Sequence, residues 1–321
     1  MRDGPRIARA LTISAAALAM GFALVGCWVG TGLNQTGQTQ QLRELLTQWA
    51  ALVDNTPPNA VIVTGELING GGWNGPNADD QKIAFLDGQI QAVEPLPTGV
   101  PAFGQITWSD GSTQSVDLIS AADALSAMIA TSGDSGPCKD CKPLQVTAAH
   151  LTNIDVSTSR GDASVPVWQF DFPQDQAPMD PISFVALKNV VAVNSASLGD
   201  GLNEGTRVDD AYGAADSSEL TLTFTGSPWD SSNPCGADYR AGFAESDIAV
   251  AVIVNEHSGT MPISSNGVQV ACPAVGREHG VTIYLAKPLG NRTILDMSSG
   301  VPISLKTGPA PQISPLVGPL P

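Results

Sequence analysis

Positive charge is scarce in this 321-residue chain: 15 Lys and Arg stand against 31 Asp and Glu, a net charge of −16. Such a balance repels phosphate backbones and anionic lipid head groups, which sets nucleic acid aside as a partner. Histidine is scarcer still, with only His150, His257 and His279. Any scheme that needs an imidazole base must use one of those three positions. What remains is 42% apolar, with 24 Pro and 33 Gly. That composition fits a folded, turn-rich and β-heavy protein rather than a disordered chain.

The amino terminus carries Arg2, Arg6 and Arg9 and then an uncharged apolar run from Ala10 to Gly26. This is the layout of an export signal, because the run is too short for a comfortable membrane span and ends on small residues. It closes with Leu24-Val25-Gly26-Cys27, which resembles the lipobox of bacterial lipoproteins. The resemblance implies removal of residues 1–26, diacylglycerol on the Cys27 thiol, and a place at the outer face of the cell membrane. Each buried methylene contributes about 0.8 kcal/mol, so two or more acyl chains suffice as a stable anchor. Without Arg2, Arg6, Arg9 and Asp3, the remaining 295 residues hold 12 basic and 30 acidic side chains, net −18. Membrane contact must therefore come from the acyl chains and not from surface charge.

Beyond Cys27, residues 28–40 lack an apolar period and read as a flexible tether. "QLRELLTQWAALV" repeats Leu42, Leu45, Leu46, Trp49, Leu52 and Val53, a helical stripe ended by Asp54 to Pro58. From Ala60 the period shifts toward two. Asp87-Gly88 and Asp110-Gly111 each stand between alternating runs, which predicts two hairpins. "LISAADALSAMIA" reads as a second short helix. The expected units are therefore 41–132, α+β, and 144–306, strand-rich, joined by a connector over 133–143. In the second unit a long hairpin turns at Ser159-Arg160-Gly161-Asp162, and "DPISFVALKNVVAVN" is ambiguous between strand and buried helix. "LGDGLNEGTRVDDAYGAADSSE" reads as a long loop, later runs suggest a meander or sandwich, and residues 307–321 form a proline-rich tail. The fold class expected is α+β and β-rich: antiparallel sheets, two short helices in the first unit, and a disulfide-stapled second unit.

Candidate chemistry concentrates around the connector. Gly133-Asp134-Ser135-Gly136 looks like the nucleophile loop of chymotrypsin-like proteases, but there the His and Asp precede the Ser, whereas all three histidines here follow Ser135. A flexible loop is the better reading. Cys138 and Cys141 have the spacing of a redox or zinc pair, yet a helix precedes them and Pro143 with a strand follows, the wrong setting for a thioredoxin-like thiol. A four-thiolate zinc site with Cys235 and Cys272 is the next alternative. In an exported chain paired thiols oxidise, so disulfides are expected, with Cys138–Cys141 and Cys235–Cys272 favoured among three connectivities. Asp171, Asp175 and Asp180, and Asp200, Glu204, Asp209 and Asp210, lack the spacing of a calcium loop and read as solvated acids. "NGGGWNG" around Trp73 reads as a turn, His150 as an edge-strand residue, and His257 and His279 as loop and turn residues. No metal, no cofactor and no catalytic set is expected.

The segment from Cys138 to Phe172, with Pro143-Leu144, the Thr158-Ser159-Arg160-Gly161 turn and Trp168, carries a resemblance together with "NPCGADYRAGFAESDIAVAVIV", Cys272 and "LAKPLGNRTILD". Over rather more than half its length the chain resembles a group of uncharacterised exported lipoproteins of high-GC Gram-positive (actinobacterial) bacteria. That resemblance implies an envelope location, a disulfide-paired C-terminal unit, and Trp168, Cys235 and Cys272 as parts of one architecture. The function expected is a non-catalytic binding or assembly module for an envelope protein or small ligand. The rival is an extracytoplasmic hydrolase whose site sequence order does not reveal; a solute-binding lipoprotein is disfavoured because strands and helices do not alternate regularly.

Overall fold

The computed structural model describes residues 35–132, 142–194, 198, 205–259, 271–308 and 310. The export segment with Cys27, the Ser135 loop, the Cys138/Cys141 pair, Asp200 and Glu204, and most of the tail lie outside those residues. In chain order the elements are α1 (Gln35–Asn55), β1 (Val61–Thr64), β2 (Ile68–Gly71), α2 (Ala78–Leu86), β3 (Ile90–Ala92), β4 (Gly104–Trp108), β5 (Thr113–Val116) and α3 (Ala121–Thr131). Then come β6 (Leu144–Val146), β7 (Ala148–Thr158), β8 (Gly161–Asp171), β9 (Asp180–Val185) and β10 (Val190–Val193). The remainder is β11 (Asp210–Gly213), β12 (Glu219–Gly226), β13 (Ala237–Glu245), β14 (Ala249–Ser258), β15 (Arg277–Tyr284), β16 (Thr293–Asp296), β17 (Val301–Ile303) and β18 (Leu305–Lys306). None of the described helices is long and apolar enough to cross a membrane.

The first sheet runs β10-β1-β7-β8-β4-β5, with β9 on the second half of β8 and β2 beyond it; β3 and β6 make a separate parallel pair. Its core joins Ile106, Val165, Val167, Phe170, Ile182 and Val185 to the buried face of α3, Ala121, Ala124, Leu125 and Met128. Ser120 caps α3 by accepting the Asp123 N–H at 3.1 Å. The second body is a sandwich of two four-stranded sheets, β15-β12-β11-β18 and β13-β14-β16-β17. Leu220, Leu222, Phe224 and Ile283 of one sheet pack on Val250, Val252, Val254 and Ile294 of the other. It is not a simple meander, since β11 with β18 and β14 with β16 pair in parallel.

A third apolar cluster joins these two. Leu42, Leu45, Leu46 and Trp49 of α1 pack with Ile62 of β1, Val193 of β10, Ala249, Ala251 and Ile253 of β14, and Leu295 of β16. The run Ala249–Val254 is therefore buried on both faces, its even positions in the sandwich and its odd positions against the helix. Alanine at two of those three odd positions leaves room for the helix to approach.

Four expectations change. The first sheet contains strands from both sides of residues 133–143, so that connector does not separate two folding units; the apolar clusters divide instead between Leu187 and Val208. Sequence-adjacent strands suggested the earlier boundary, whereas β7 to β10 bury their faces with β1, β4 and β5. Residues 35–40, expected to belong to the tether, are instead the first turns of α1. The Gln38 and Asn255 side-chain amides exchange hydrogen bonds at 2.8 and 3.2 Å and hold its polar first turns, a contact 217 residues apart in sequence. Asp87-Gly88 ends helix α2 instead of turning a hairpin. Gly88, at φ 65°, donates to the Phe85 carbonyl at 3.1 Å and Gln89 to that of Ala84 at 2.8 Å, a glycine-terminated helix end. Finally, Asp210–Gly213 of the expected long loop is strand β11, paired with both β12 and β18. The Asp110-Gly111 hairpin and the long β7–β8 hairpin form as expected, and "DPISFVALKNVVAVN" resolves into strands β9 and β10. Beyond β18, Thr307, Gly308 and Ala310 are in no strand or helix.

Cys235 and Cys272 form a disulfide with Cα atoms 5.5 Å apart and a sequence separation of 37. On the chain-entropy model the closed loop contributes roughly 4 kcal/mol. Replacing both cysteines with serine should lower the free energy of unfolding in urea by up to about 4 kcal/mol, and an unchanged midpoint would count against a stapling role. Trp49→Ala should cost about 3–5 kcal/mol while the exposed Glu44→Ala stays within about 0.5 kcal/mol, both read from the same titration.

Candidate functional site

The tip of the β7–β8 hairpin is fixed by an aromatic side chain from the neighbouring strand. Trp108, buried on β4, donates its indole N–H to Thr158 Oγ1 at 3.2 Å, and that hydroxyl donates to the Gly161 carbonyl at 2.6 Å. The Arg160 guanidinium lies 3.9 Å from the centre of the Trp108 ring and donates to Ser112 Oγ at 3.3 Å. Gly161, at φ 107°, closes the turn, and a Cβ there would come within 3.4 Å of the Leu305 carbonyl oxygen. Beside the tip lies a shallow depression of about 430 Å³ lined by Thr107, Ser109, Asp155, Ser157, Asp162 and Ser164.

Asp162 is the hub of a polar cluster at the edge of that depression. One carboxylate oxygen accepts from Ser157 Oγ at 2.9 Å and from Ser304 Oγ at 2.6 Å, while the other accepts from Lys306 Nζ. Asp210 of β11 stands 3.7 Å from the same ammonium. Two hydroxyls, two carboxylates and a lysine meet here from β7, β8, β11, β18 and the residue between β17 and β18. Sequence reading missed Lys306 and Ser304 altogether, since 144 and 142 residues separate them from Asp162 and no local pattern links such positions.

The electrostatics decide what the cluster does. Burial by itself would raise the Asp162 pKa, but the hydrogen bonds from Lys306, Ser304 and Ser157 outweigh it and hold the carboxyl below its ordinary value. The Lys306 pKa is raised, first by its hydrogen bond to Asp162, so the ammonium keeps its proton. Burial pushes Asp210 up, with Asp162 and Asp209 adding to the rise and Lys306 opposing it. A serine–lysine hydrolase needs a neutral amine to take the serine proton. Here the amine is held charged, and both hydroxyls donate to a carboxylate instead. The arrangement ties the hairpin tip of the first sheet to the end of the sandwich.

The histidines stand apart from it and from one another. On β7, His150 Nε2 lies 2.7 Å from Asp171 Oδ2, with the His150 side chain 64% exposed and solvent reaching both groups. Contrary to expectation, His257 and His279 are strand residues, on β14 and β15. His257 is exposed, whereas His279 is buried because Phe224 and Tyr239 enclose it, with ring centroids 5.6 and 5.2 Å away. Its Nε2 donates to the Ser227 carbonyl at 2.6 Å, since a carbonyl only accepts. That contact secures the loop leading to the disulfide, whose Cys235 carbonyl accepts from Ser227 Oγ at 3.0 Å.

The remaining candidates also have structural partners. Trp73 packs on Phe85 of α2, centroids 5.4 Å apart, and donates to the Gln176 carbonyl at 3.1 Å. Trp168 donates to the Ile119 carbonyl at 2.9 Å. The Asp175 carbonyl accepts from the Gln81 amide at 2.7 Å, Asp180 begins β9, and Asp209 accepts from Thr225 at 3.3 Å. Among the described residues no three His, Cys, Asp or Glu side chains converge as metal ligands. No protein-family model, curated protein or solved structure matches the chain.

Asp162→Asn should lower stability at pH 7 by about 1 kcal/mol, a modest figure because the Lys306 pair is part-exposed and screened. Its folded pKa is depressed, so its contribution is present above the ordinary aspartate range and is lost as pH falls through the folded value. The gap between wild type and variant in urea midpoints should therefore close below about pH 4; a gap that widens in acid would contradict the arrangement.

Proposed function

We propose that the chain is a lipid-anchored protein of the cell envelope, held at the outer face of the cell membrane through Cys27 and acting there as a non-catalytic binding or assembly module. The anchor and compartment rest on the Arg-rich start, the short apolar run and Leu24-Val25-Gly26-Cys27. Likeness to exported lipoproteins of high-GC Gram-positive bacteria supports the same place.

The observation that favours a binding role over a hydrolase is the state of the Asp162 cluster. Its lysine is kept as a cation by two carboxylates, and its two serines donate to Asp162, so the most reactive-looking gathering of side chains is engaged in holding two sheets together. The His150–Asp171 pair is the start of a base-and-orienter arrangement, but a nucleophile would have to join it in a site shielded from water.

Two experiments test the proposal together. Cys27→Ala should change processing and release the protein from membranes into the soluble fraction; unchanged processing with full membrane retention removes the anchor. Full-length protein screened against ester, amide, phosphoester and glycoside substrates should show no turnover that depends on Ser157, Ser304 or His150. Activity abolished by Ser304→Ala or His150→Ala, with folding preserved, would establish the hydrolase in its place.

A further inference from the structure

The sandwich has two ends, and the first described helix leaves it at one of them. Gln38, in the first turn of α1, exchanges amide hydrogen bonds with Asn255 near the end of β14, while Leu45 and Trp49 lie along Ala249, Ala251 and Ile253. Helix α1 therefore runs antiparallel to β14, and its start lies level with Asn255–Ser258. Three strand residues from Asn255 to Ser258 cover about 10 Å. Ala237 pairs with Ser258 and donates to the Trp229 carbonyl at 2.9 Å, and Gly259 donates to the Gly236 carbonyl at 2.7 Å. Trp229, the Cys235–Cys272 bridge and Val275 consequently share the end from which the chain departs toward Cys27. The opposite end, with the turn at Ser246, lies nine strand residues back from Asn255, about 30 Å away.

From Cys27 to Gln35 there are eight peptide steps, at most about 29 Å when fully extended. A chain that short keeps the start of α1 within about 29 Å of the bilayer, so the end that carries it meets the surface with less extension of the link than the Ser246 end requires. On the near end Trp229 is 40% exposed and Val275 53% exposed, and residues 271–278 form a continuous exposed stretch. The indole N–H of Trp229 makes no hydrogen bond with any described residue. Its loop is nonetheless well fixed: Ser227 Oγ accepts the Trp229 N–H at 3.3 Å, Asp230 accepts from Ser232 and from Asn233, and Asp238 accepts from the Ser231 N–H at 3.1 Å. A well-fixed loop that presents a part-exposed indole suits the head-group layer, where one part of an indole meets acyl chains and the other meets phosphate or ester oxygens.

We infer that the Trp229–Val275 end of the sandwich is a membrane-contact surface, seated on the head-group layer of the bilayer that carries the Cys27 lipid. The inference rests on the anchoring proposed above. Glu256 and Glu278 stand at this end with Arg277 between Val275 and Glu278, so these three leave no excess of positive charge, and the contact relies on apolar burial and hydrogen bonding and does not need anionic lipid.

The test uses the full-length lipidated protein, reconstituted in phosphatidylcholine vesicles with or without acyl chains brominated close to the head group. Trp28 adjoins Cys27, so Trp28→Phe is the background for every sample. Bromolipid should quench part of the emission in that background and in the added Trp73→Phe control. Most of this quenching should disappear when Trp229→Phe is added, and replacing part of the phosphatidylcholine with phosphatidylglycerol should leave the pattern unchanged. Near-ultraviolet circular dichroism confirms that each variant is folded. Quenching that is absent, or unaffected by Trp229→Phe, in a chain whose Cys27 is shown by mass spectrometry to carry diacylglycerol overturns this surface alone. A chain that carries no lipid overturns the surface and the anchoring together.

Discussion

Helix α1 is the element both halves of the molecule depend on, because each needs its apolar stripe to close a surface left open by its own strands. Ile62 and Val193 on the first sheet, and Ala249, Ala251, Ile253 and Leu295 on the sandwich, are apolar on the face turned away from their own sheet's main core. Without the helix those side chains would meet water at two places at once. Leu42, Leu45, Leu46 and Trp49 cover both sets from one 21-residue helix, and apolar burial of this kind contributes roughly 25 cal/mol per Å² removed from water. Strand β14 follows from the same constraint. A strand with one solvent face would alternate, but Ala249–Val254 is apolar throughout because sandwich and helix each claim every second position.

The polar contacts repeat this logic where apolar packing ends. Near the hairpin tip of β7 and β8, the first sheet reaches the sandwich through Asp162, Ser304 and Lys306. At another border Gln38 and Asn255 pair their amides. In the sandwich, buried Arg292 donates to Glu245 at 2.6 Å and to the carbonyls of Lys287, Pro288 and Leu289, so a charge inside the protein has a partner for its guanidinium and fixes the turn before β16. Each contact places a charged or amide group where removing one partner strands the other in a part-buried setting. Such groups add register to a junction that apolar contact alone would hold with less directional preference.

What could be read from the sequence was local. The Asp110-Gly111 turn, the β7–β8 hairpin, the α1 stripe and the Cys235–Cys272 pairing each carry their signal within a few residues or in the chemistry of one residue type. Asp87-Gly88 shows the limit of such signals: a positive φ at glycine serves a hairpin and a helix end equally well, and the acids Asp79 and Asp80 at the start of α2 were the discriminating cue. The strand order, the burial of His279 between Phe224 and Tyr239, and the Asp162 cluster all bring together residues far apart in the chain. Periodicity has no access to them, which is why the candidate site was the least legible part.

The two extremes of the described chain also meet the junction from opposite directions. Helix α1 begins it, and β17 and β18 complete it, with Ser304 accepting the Ala211 N–H at 3.1 Å while its hydroxyl reaches Asp162. A load applied to the chain ahead of Gln35 would therefore be received first by a helix buried on two sides, and would act along an axis antiparallel to β14. Its side chains interlock with two strands of the first sheet and two of the sandwich, so withdrawal of α1 requires both apolar surfaces to open together. Under the anchoring proposed above, this would be a firmer attachment than a terminal strand, whose hydrogen bonds to one neighbour can break in succession from the edge.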